Sequence, residues 1–298
     1  MDQNLYLIIP FFNFNDSEER IINFEKCLNN LQNQSNLKII VIEGFLKNKN
    51  PKLEKIISKY KFVYNYVSCE LPSILWIKEN LINIACELLP ESWEYMAWID
   101  ADVIFSSNIM DNVGWPSQTV DLLKIYDTVQ LFKLYAWMHT KNSGINVGMS
   151  FGFISKLDPL DFGHPGYAWA INRNFYKKIN GLFEYCIIGG FDALYSNLLK
   201  KQDYYFENHY LMHLGHTVKD YYDKFGNSTY HYIKSTLLHL PHGNLIKRRY
   251  ADRYSILKKH NFNPVKDLDK NNDGILEFKD NNSPLALEIK NYFLQRED

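Results

Sequence analysis

The segment Tyr95-Met-Ala-Trp-Ile99 runs straight into Asp100-Ala-Asp102, and no other feature of the sequence constrains the fold as strongly. An apolar run this short reads as a strand buried on both faces, and such strands belong to sheets covered by helices. The residues before it fit that reading. Leu5 to Ile9 is an apolar run closed by Pro10; after the Asn-rich FNFND, the stretch Glu18 to Leu31 places Ile21, Ile22, Phe24 and Leu28 at a helical period. Lys38 to Ile42 and Phe62 to Val67 read as further strands, and Ile74 to Leu89 as a long amphipathic helix ended by Pro90. Strands alternating with helices predict an α/β fold, a Rossmann-like mixed sheet flanked by helices. Ligands of such sheets bind beyond the carboxyl ends of the strands, where the two acids project.

The second half has a different texture. Thr140 to Gly166 is rich in Gly, Ser, Asn and Pro without a period and reads as loops around a site. Asn172 to Ile179 is helical in pattern and stops at Gly181, and Gly190 opens another helix that runs through Leu199. Tyr230 to Leu240 reads as one strand, Tyr250 to His260 as a helix, and Leu285 to Gln295 as the last helix. No repeat appears, and no linker separates two independent domains.

Composition excludes several classes. In 298 residues, 33 Lys+Arg face 34 Asp+Glu for a formal net charge of -1, so no global field draws nucleic acid to the surface. A hydrophobic fraction of 46 %, with 21 Tyr, 19 Phe and 6 Trp, supplies a large core and flat faces on which sugar rings can stack. No run reaches the roughly 18–20 apolar residues of a membrane span, and the N-terminus lacks the basic region of a signal peptide. Cys27, Cys69, Cys86 and Cys186 form no C-x-x-C pair, which predicts neither a disulfide framework nor a zinc knuckle and fits a reducing, cytoplasmic setting.

Four groups of residues carry chemistry. Asp100 and Asp102 are hard oxygen donors one residue apart, able to hold Mg²⁺ or Mn²⁺; the same spacing also caps the helix start at Ser106-Ser107. His239-Leu-Pro-His242-Gly243 closes a strand with two imidazoles, which either complete an oxygen site for Mn²⁺ or are structural. The adjacent Lys247-Arg248-Arg249 is a diphosphate contact or a solvated helix face. Asp192, just past two glycines that let a substrate approach the backbone, can take a proton from a hydroxyl or serve as a helix N-cap.

Three segments in this order, WIDADVIF, GHPGYAWAINRNFYKKINGLFEYCIIGGFD and LLHLPHGNLIKRRYADRYSIL, resemble a glycosyltransferase of the GT-A fold, in the galactosyltransferase and N-acetylgalactosaminyltransferase group. The early IIPFFN resembles the first donor-binding strand of that fold, so the resemblance spans Leu5 to about Leu257. It implies a GT-A catalytic domain over residues 1–260, with a nucleotide-sugar half at 1–105, an acceptor half at 106–260, and a C-terminal helical extension at 261–298. It implies metal ligands at Asp100, Asp102 and His242, with His239 where the family has a second, softer ligand, and Mn²⁺ or Mg²⁺ as the cofactor. Asp192 matches the base of inverting members, although Phe191 stands where the usual acid pair has its first acid. Pro10, Phe11, Asn13, Glu43, Asp100 and Lys247 fall in the nucleotide-sugar region. Tyr167, Trp169, Gly189 and Gly190 fall in the acceptor region. The expected partners are a nucleotide-sugar, UDP-linked in most of the family, and a glycan acceptor. Lys78 and Asn83, on the helix before the acid pair, are left unassigned.

Other readings compete. Asp269 to Asp280 fits a calcium-loop template, against which stands a polar turn joining two helices. His209, His213 and His216 share one face if their segment is helical, but no H-E-x-x-H appears for a zinc hydrolase. A sugar nucleotidyltransferase should have a Gly-rich loop after its first strand, where this chain reads PFFNFND. A non-catalytic, lectin-like carbohydrate-binding protein would use the aromatics without a nucleotide pocket. Binding of a nucleoside diphosphate with Mn²⁺ separates it from the enzyme.

Overall fold

The computed structural model describes residues 4–106, 114–138, 144–158, 161–200, 215–243 and 253–296. Leu5–Phe12 (β1) is buried at every position. Its side chains divide by parity: Tyr6, Ile8 and Phe12 enter one core, and Leu5, Leu7, Ile9 and Phe11 enter the other. This is how a central strand with helices on both faces behaves. Glu18–Leu31 (α1) buries Phe24, Cys27, Leu28 and Leu31. Leu37–Leu46 (β2) pairs parallel with β1, and the short helix Glu54–Ile57 (α2) leads to Val63–Leu71 (β3), parallel to β2. Lys78–Glu87 (α3) then leads to Tyr95–Ile99 (β4), parallel to β1 on its other side. The alternation read from the sequence is therefore the observed one. The helix begins at Lys78 and not at Ile74, because the residues before it are tied to a later loop, Trp76 N–H donating to Ile187 O at 2.8 Å.

The remaining elements up to the end of the main sheet are Val103–Phe105 (β5), Trp115–Leu123 (α4), Thr128–Gln130 (β6), Leu134–Met138 (β7), Ile145–Met149 (β8), Phe151–Leu157 (α5), Ala168–Asn172 (β9), Arg173–Ile179 (α6), Phe191–Lys200 (α7), Gly215–Phe225 (α8), Tyr230–Tyr232 (β10) and Thr236–His239 (β11). Seven strands form a mixed sheet in the order β10-β6-β9-β4-β1-β2-β3, in which β9 runs antiparallel to β4 and β6. Four more form a second sheet, β5-β11-β7-β8. Two expectations change here. The Gly- and Asn-rich 140–166 stretch contains β8 and α5 among its described residues. Tyr230 to Leu240 is two strands in two sheets, divided where Ile233 is buried and Ser235 Oγ donates to Leu131 O at 2.7 Å.

The C-terminal part consists of Arg253–Lys259 (α9), Pro264–Asp267 (α10), the hairpin Leu268–Lys270 (β12) and Leu276–Phe278 (β13), and Pro284–Leu294 (α11). It is not helical throughout, and its Phe262, Ile275, Phe278, Ile289 and Phe293 belong to the same core as Trp98 and Leu81. The candidate calcium loop is the turn of this hairpin. Asn271 Oδ1 accepts from the Asp273 and Ile275 N–H groups at 3.0 and 2.9 Å, so the segment is closed on itself as the turn between two paired strands, with the four-residue α10 before them and α11 after. Among the described residues, no helix is long and apolar enough to cross a membrane.

One detail of the main sheet positions the site. Strand β4 pairs only with Leu5 to Ile8 of β1, whereas β2 continues beside β1 to Phe12. Pro10 therefore lies beyond the β4 ladder, where its missing N–H interrupts nothing on that side. The chains diverge there, and a crevice opens at the carboxyl ends of the two strands.

Candidate active site

The crevice is a cavity of about 470 Å³ whose walls include the end of β1, the residues after β4, the loop before β9, the start of α7 and the residues at and after the end of β11, with Arg20, Trp76, Lys78, Trp137, Arg253 and Arg296 contributed from elsewhere in the chain. Antiparallel pairing of β11 with β5 sets His239 opposite Val103, and Leu240 N–H donates to Asp102 O at 2.8 Å. This register carries both imidazoles to the second acid. His242 Nε2 lies 2.9 Å from Asp102 Oδ2, and His239 Nε2 lies 3.7 Å from Oδ1. One ligand atom from each of the three residues lies within 4.8 Å of the others. Asp102 Oδ1 is buried without a hydrogen-bond partner among the described residues. Burial works against the Asp102 carboxylate, but His239, His242 and the Arg20 guanidinium outweigh it and hold its pKa well below the usual range. One carboxylate and two imidazoles with an orphaned oxygen between them form a donor set able to hold a borderline divalent ion such as Mn²⁺.

Asp100 does not join this group. Its Oδ1 accepts from Lys78 Nζ at 2.6 Å, and the same ammonium lies 3.7 Å from Asp192 Oδ2. The two acids of the D-x-D pair thus serve different partners, Asp102 the histidines and Asp100 a lysine. Lys78 is 4 % exposed. Burial alone would lower its pKa, but Asp100, Asp192 and Glu79 reverse the sign and keep it protonated. At Asp192 burial dominates and raises the pKa; Lys78 pulls it down, Asp100 adds to the rise, and Arg253 pulls down more weakly. Its Oδ1 is buried with no hydrogen-bond partner among the described residues. The position of Asp192 depends on the backbone before it, where Gly189 and Gly190 have φ of +83° and +105°, a region that side-chain-bearing residues avoid. Both glycines and Asp192 line the cavity.

The other expected site residues are distributed as follows. Pro10 and Phe11 line the cavity. Asn13 instead brackets the entry to α1, its side chain bonding Ser17 N and O at 3.0 and 2.9 Å. Glu43 is 2 % exposed and its carboxylate is closed by Lys52 N–H, Leu53 N–H and Tyr66 O–H at 2.6, 3.0 and 2.7 Å, so it holds the loop before α2 and does not reach the cavity. Trp169, on β9, is 1 % exposed, with its indole N–H donated to Pro165 O at 2.7 Å. It cannot stack on an acceptor sugar. Tyr167 lines the cavity, but its ring packs on His164 at 3.9 Å with 6° between planes and lies 4.9 Å from His239. Its faces are used within the protein. Lys247 and the basic run around it, and His209 and His213, lie outside the described residues; of the third histidine, His216, only the backbone is described, as part of α8. Asn83 is a clasp, joining Leu182 N and O and the Tyr176 hydroxyl.

Sequence reasoning did not assign Lys78, Arg20, Trp76, His164, Arg253 or Arg296, all of which line the cavity. Lys78 had a signal: a lysine, a glutamate and an asparagine opening a helix amid apolar residues, Lys78, Glu79 and Asn80, all buried in the structure. Arg253 and Arg296 had none, since their approach depends on how the C-terminal part packs.

No family model and no curated protein sequence matches the chain. Solved structures similar to it include TarS of S. aureus, at 15 % identity and a TM-score of 0.43, over 66 % of this chain and 54 % of that one. The mannosyltransferase PcManGT of Pyrobaculum calidifontis, in complex with GDP-Man and Mn²⁺, matches at 12 % identity and a TM-score of 0.47, over 86 % and 60 %. GalNAc-T7 with UDP, GalNAc and Mn²⁺ matches at 13 % identity and a TM-score of 0.48, over 80 % and 44 %. The chain spans less than two thirds of the length of each of these proteins, and the likeness is one of overall fold.

Proposed function

We propose that the chain is a metal-dependent glycosyltransferase, which moves a hexose or N-acetylhexosamine from a nucleotide-sugar, UDP-linked, to a hydroxyl of a glycan with inversion at the anomeric carbon. The supporting observation is that one cavity holds two separate devices at the carboxyl ends of the parallel strands β1 and β4: the Asp102, His239 and His242 group, and the Asp100, Lys78 and Asp192 chain. Asp102, His239 and His242 would hold a divalent cation, which would supply positive charge to offset that of a departing diphosphate. Pro10 and Phe11 form the wall against which the nucleoside lies. Asp192 accepts the proton of the acceptor hydroxyl as its oxygen bonds to the anomeric carbon and the bond from that carbon to the diphosphate oxygen breaks. Burial raises the basicity of Asp192 toward what that transfer needs, and Lys78 fixes the carboxylate and offsets the charge of Asp100. Gly189 and Gly190 leave room for the acceptor at the backbone.

Thermal-shift and calorimetric titration with UDP, GDP, CDP and dTDP, each with and without Mn²⁺, tests this. Stabilisation by one nucleotide that requires Mn²⁺ and is lost in Asp102→Ala is the expected result. A protein that binds no nucleoside diphosphate under any metal condition is not this enzyme.

A further inference from the structure

The loop from Gly163 to Tyr167 is held more tightly than a loop needs to be. Gly163 has φ of +58°, and a Cβ there would lie 2.8 Å from Ser150 O. Gln130 Nε2 donates to both His164 O and Gly166 O, at 2.9 and 3.3 Å, and Pro165 O takes the Trp169 indole N–H. Tyr167 has φ of +77°, a conformation costing on the order of 1–3 kcal/mol for a residue with a side chain. These constraints meet on one ring. His164 is stacked flat on Tyr167, and its Nδ1 accepts from Gly166 N–H at 3.1 Å.

A nitrogen that accepts has no proton, so a neutral His164 carries its hydrogen on Nε2. Burial, together with the neighbouring positive charges of His239 and Lys78, pushes its pKa down to about 3 and keeps it neutral. Nε2 has no hydrogen-bond partner among the described residues, and the ring lines the cavity. Its location is also specific. On one side the Tyr167 ring separates it from His239. On the other it flanks Gly166, whose missing Cβ would lie 3.2 Å from His164 Cε1 and 3.1 Å from Asp192 Oδ2. His164 is thus linked to the carboxylate–imidazole group through Tyr167 and adjoins the candidate base across Gly166. In a transfer that uses both, the space between that group and the base is where the migrating sugar lies.

We propose that His164 Nε2–H is a specificity element for the transferred sugar, donating a hydrogen bond to one of its oxygens, a ring hydroxyl or an acetamido carbonyl. This rests on the transferase reading above. A fixed N–H discriminates by the position of an acceptor oxygen.

Two measurements test it. In ¹⁵N-histidine NMR of the wild-type protein at pH 7, His164 is expected as the Nε2–H tautomer; an Nδ1–H tautomer or a doubly protonated ring overturns the inference. Calorimetry with Mn²⁺ then compares free UDP or GDP with its glucose, galactose, mannose and N-acetylglucosamine conjugates. His164→Phe keeps an aromatic ring against Tyr167 and removes both the Nε2–H and the Nδ1 that accepts from Gly166 N–H; it should bind the free diphosphate as the wild type does and the preferred conjugate about tenfold more weakly, the loss of roughly one hydrogen bond. His164→Gln, which retains an N–H, should recover part of that loss, and unchanged melting temperatures in both variants establish that they are folded. If His164→Phe binds the conjugate as tightly as the wild type, His164 reads nothing, while the transferase reading stands. If the wild type binds no free diphosphate, both fall together.

Discussion

Glu79 sits beside the site without facing it, and it carries an unusual electrostatic load. Burial pushes its pKa up from 4.5 to about 8; Lys78 opposes the rise, and Asp192 and Asp100 add to it. Because the folded pKa lies above the unfolded one, folding takes up a proton between those values, and stability falls as pH rises from about 4.5 to about 8. Below that window both states are protonated, and above it both are ionised. Urea unfolding at several pH values across the window should show a slope of up to about 1.4 kcal/mol per pH unit from this group, and Glu79→Gln should flatten it. If the wild-type slope persists in Glu79→Gln, another group is responsible. The residue scale is also where the sequence is most informative and most misleading. Asp102, His239 and His242 could be named together as candidate ligands because the GT-A resemblance implies it, while the residue types alone left a structural reading open. Asp100 could not be separated from Asp102, since the divergence depends on Lys78 arriving from another element. Nor could the burial of Trp169 or the closure of Glu43 be foreseen, because both depend on neighbours distant in the chain.

Among elements, periodicity resolves what is local. β1, α1 and β4 form where alternation and helical spacing place them, since each buries a face set by its own residues. The two strands within Tyr230 to Leu240 look like one because both are apolar and only the turn at Ile233 assigns them to different sheets. The hairpin of β12 and β13 was concealed by its own turn, whose acids and glycine mimic a calcium loop. Its anchor is Asn80, which donates to Gly274 O and accepts from Leu276 N–H, both at 3.0 Å, far away in sequence. The loop before β9 behaves as an element as well, because it cannot be altered one residue at a time. Gly163→Ala would put a methyl group 2.5 Å from Ile154 Cγ2 and 2.8 Å from Ser150 O at a positive φ, and is expected to lower stability by about 1–3 kcal/mol in chemical denaturation. A loss below 0.5 kcal/mol would mean that the loop relaxes and that the posture of His164 is not imposed by its backbone.

For the molecule as a whole, the C-terminal part matters more than an appended extension would. Phe262, Leu268, Ile275, Leu276, Phe278, Leu285, Ile289 and Phe293 are all buried in the larger core. At about 1.5–3 kcal/mol for each buried side chain, their loss is comparable to or larger than the roughly 5–15 kcal/mol by which a typical domain is stable. A chain ending at residue 260 is therefore expected to lose cooperative thermal unfolding by calorimetry; a sharp transition in that truncation would make residues 261–298 dispensable for the fold. The same integration brings Arg296 to the cavity beside Arg20.

The pairing of β5 with β11 has one more consequence. Asp102 and the two histidines are far apart in sequence, and the short antiparallel ladder of β5 with β11 brings them together. Contacts so distant in sequence form late, because the intervening chain loses its freedom before they contribute anything. A ligand that joined Asp102 to His239 and His242 would act as a clasp across the β5–β11 ladder, and its affinity would be linked to the persistence of that ladder.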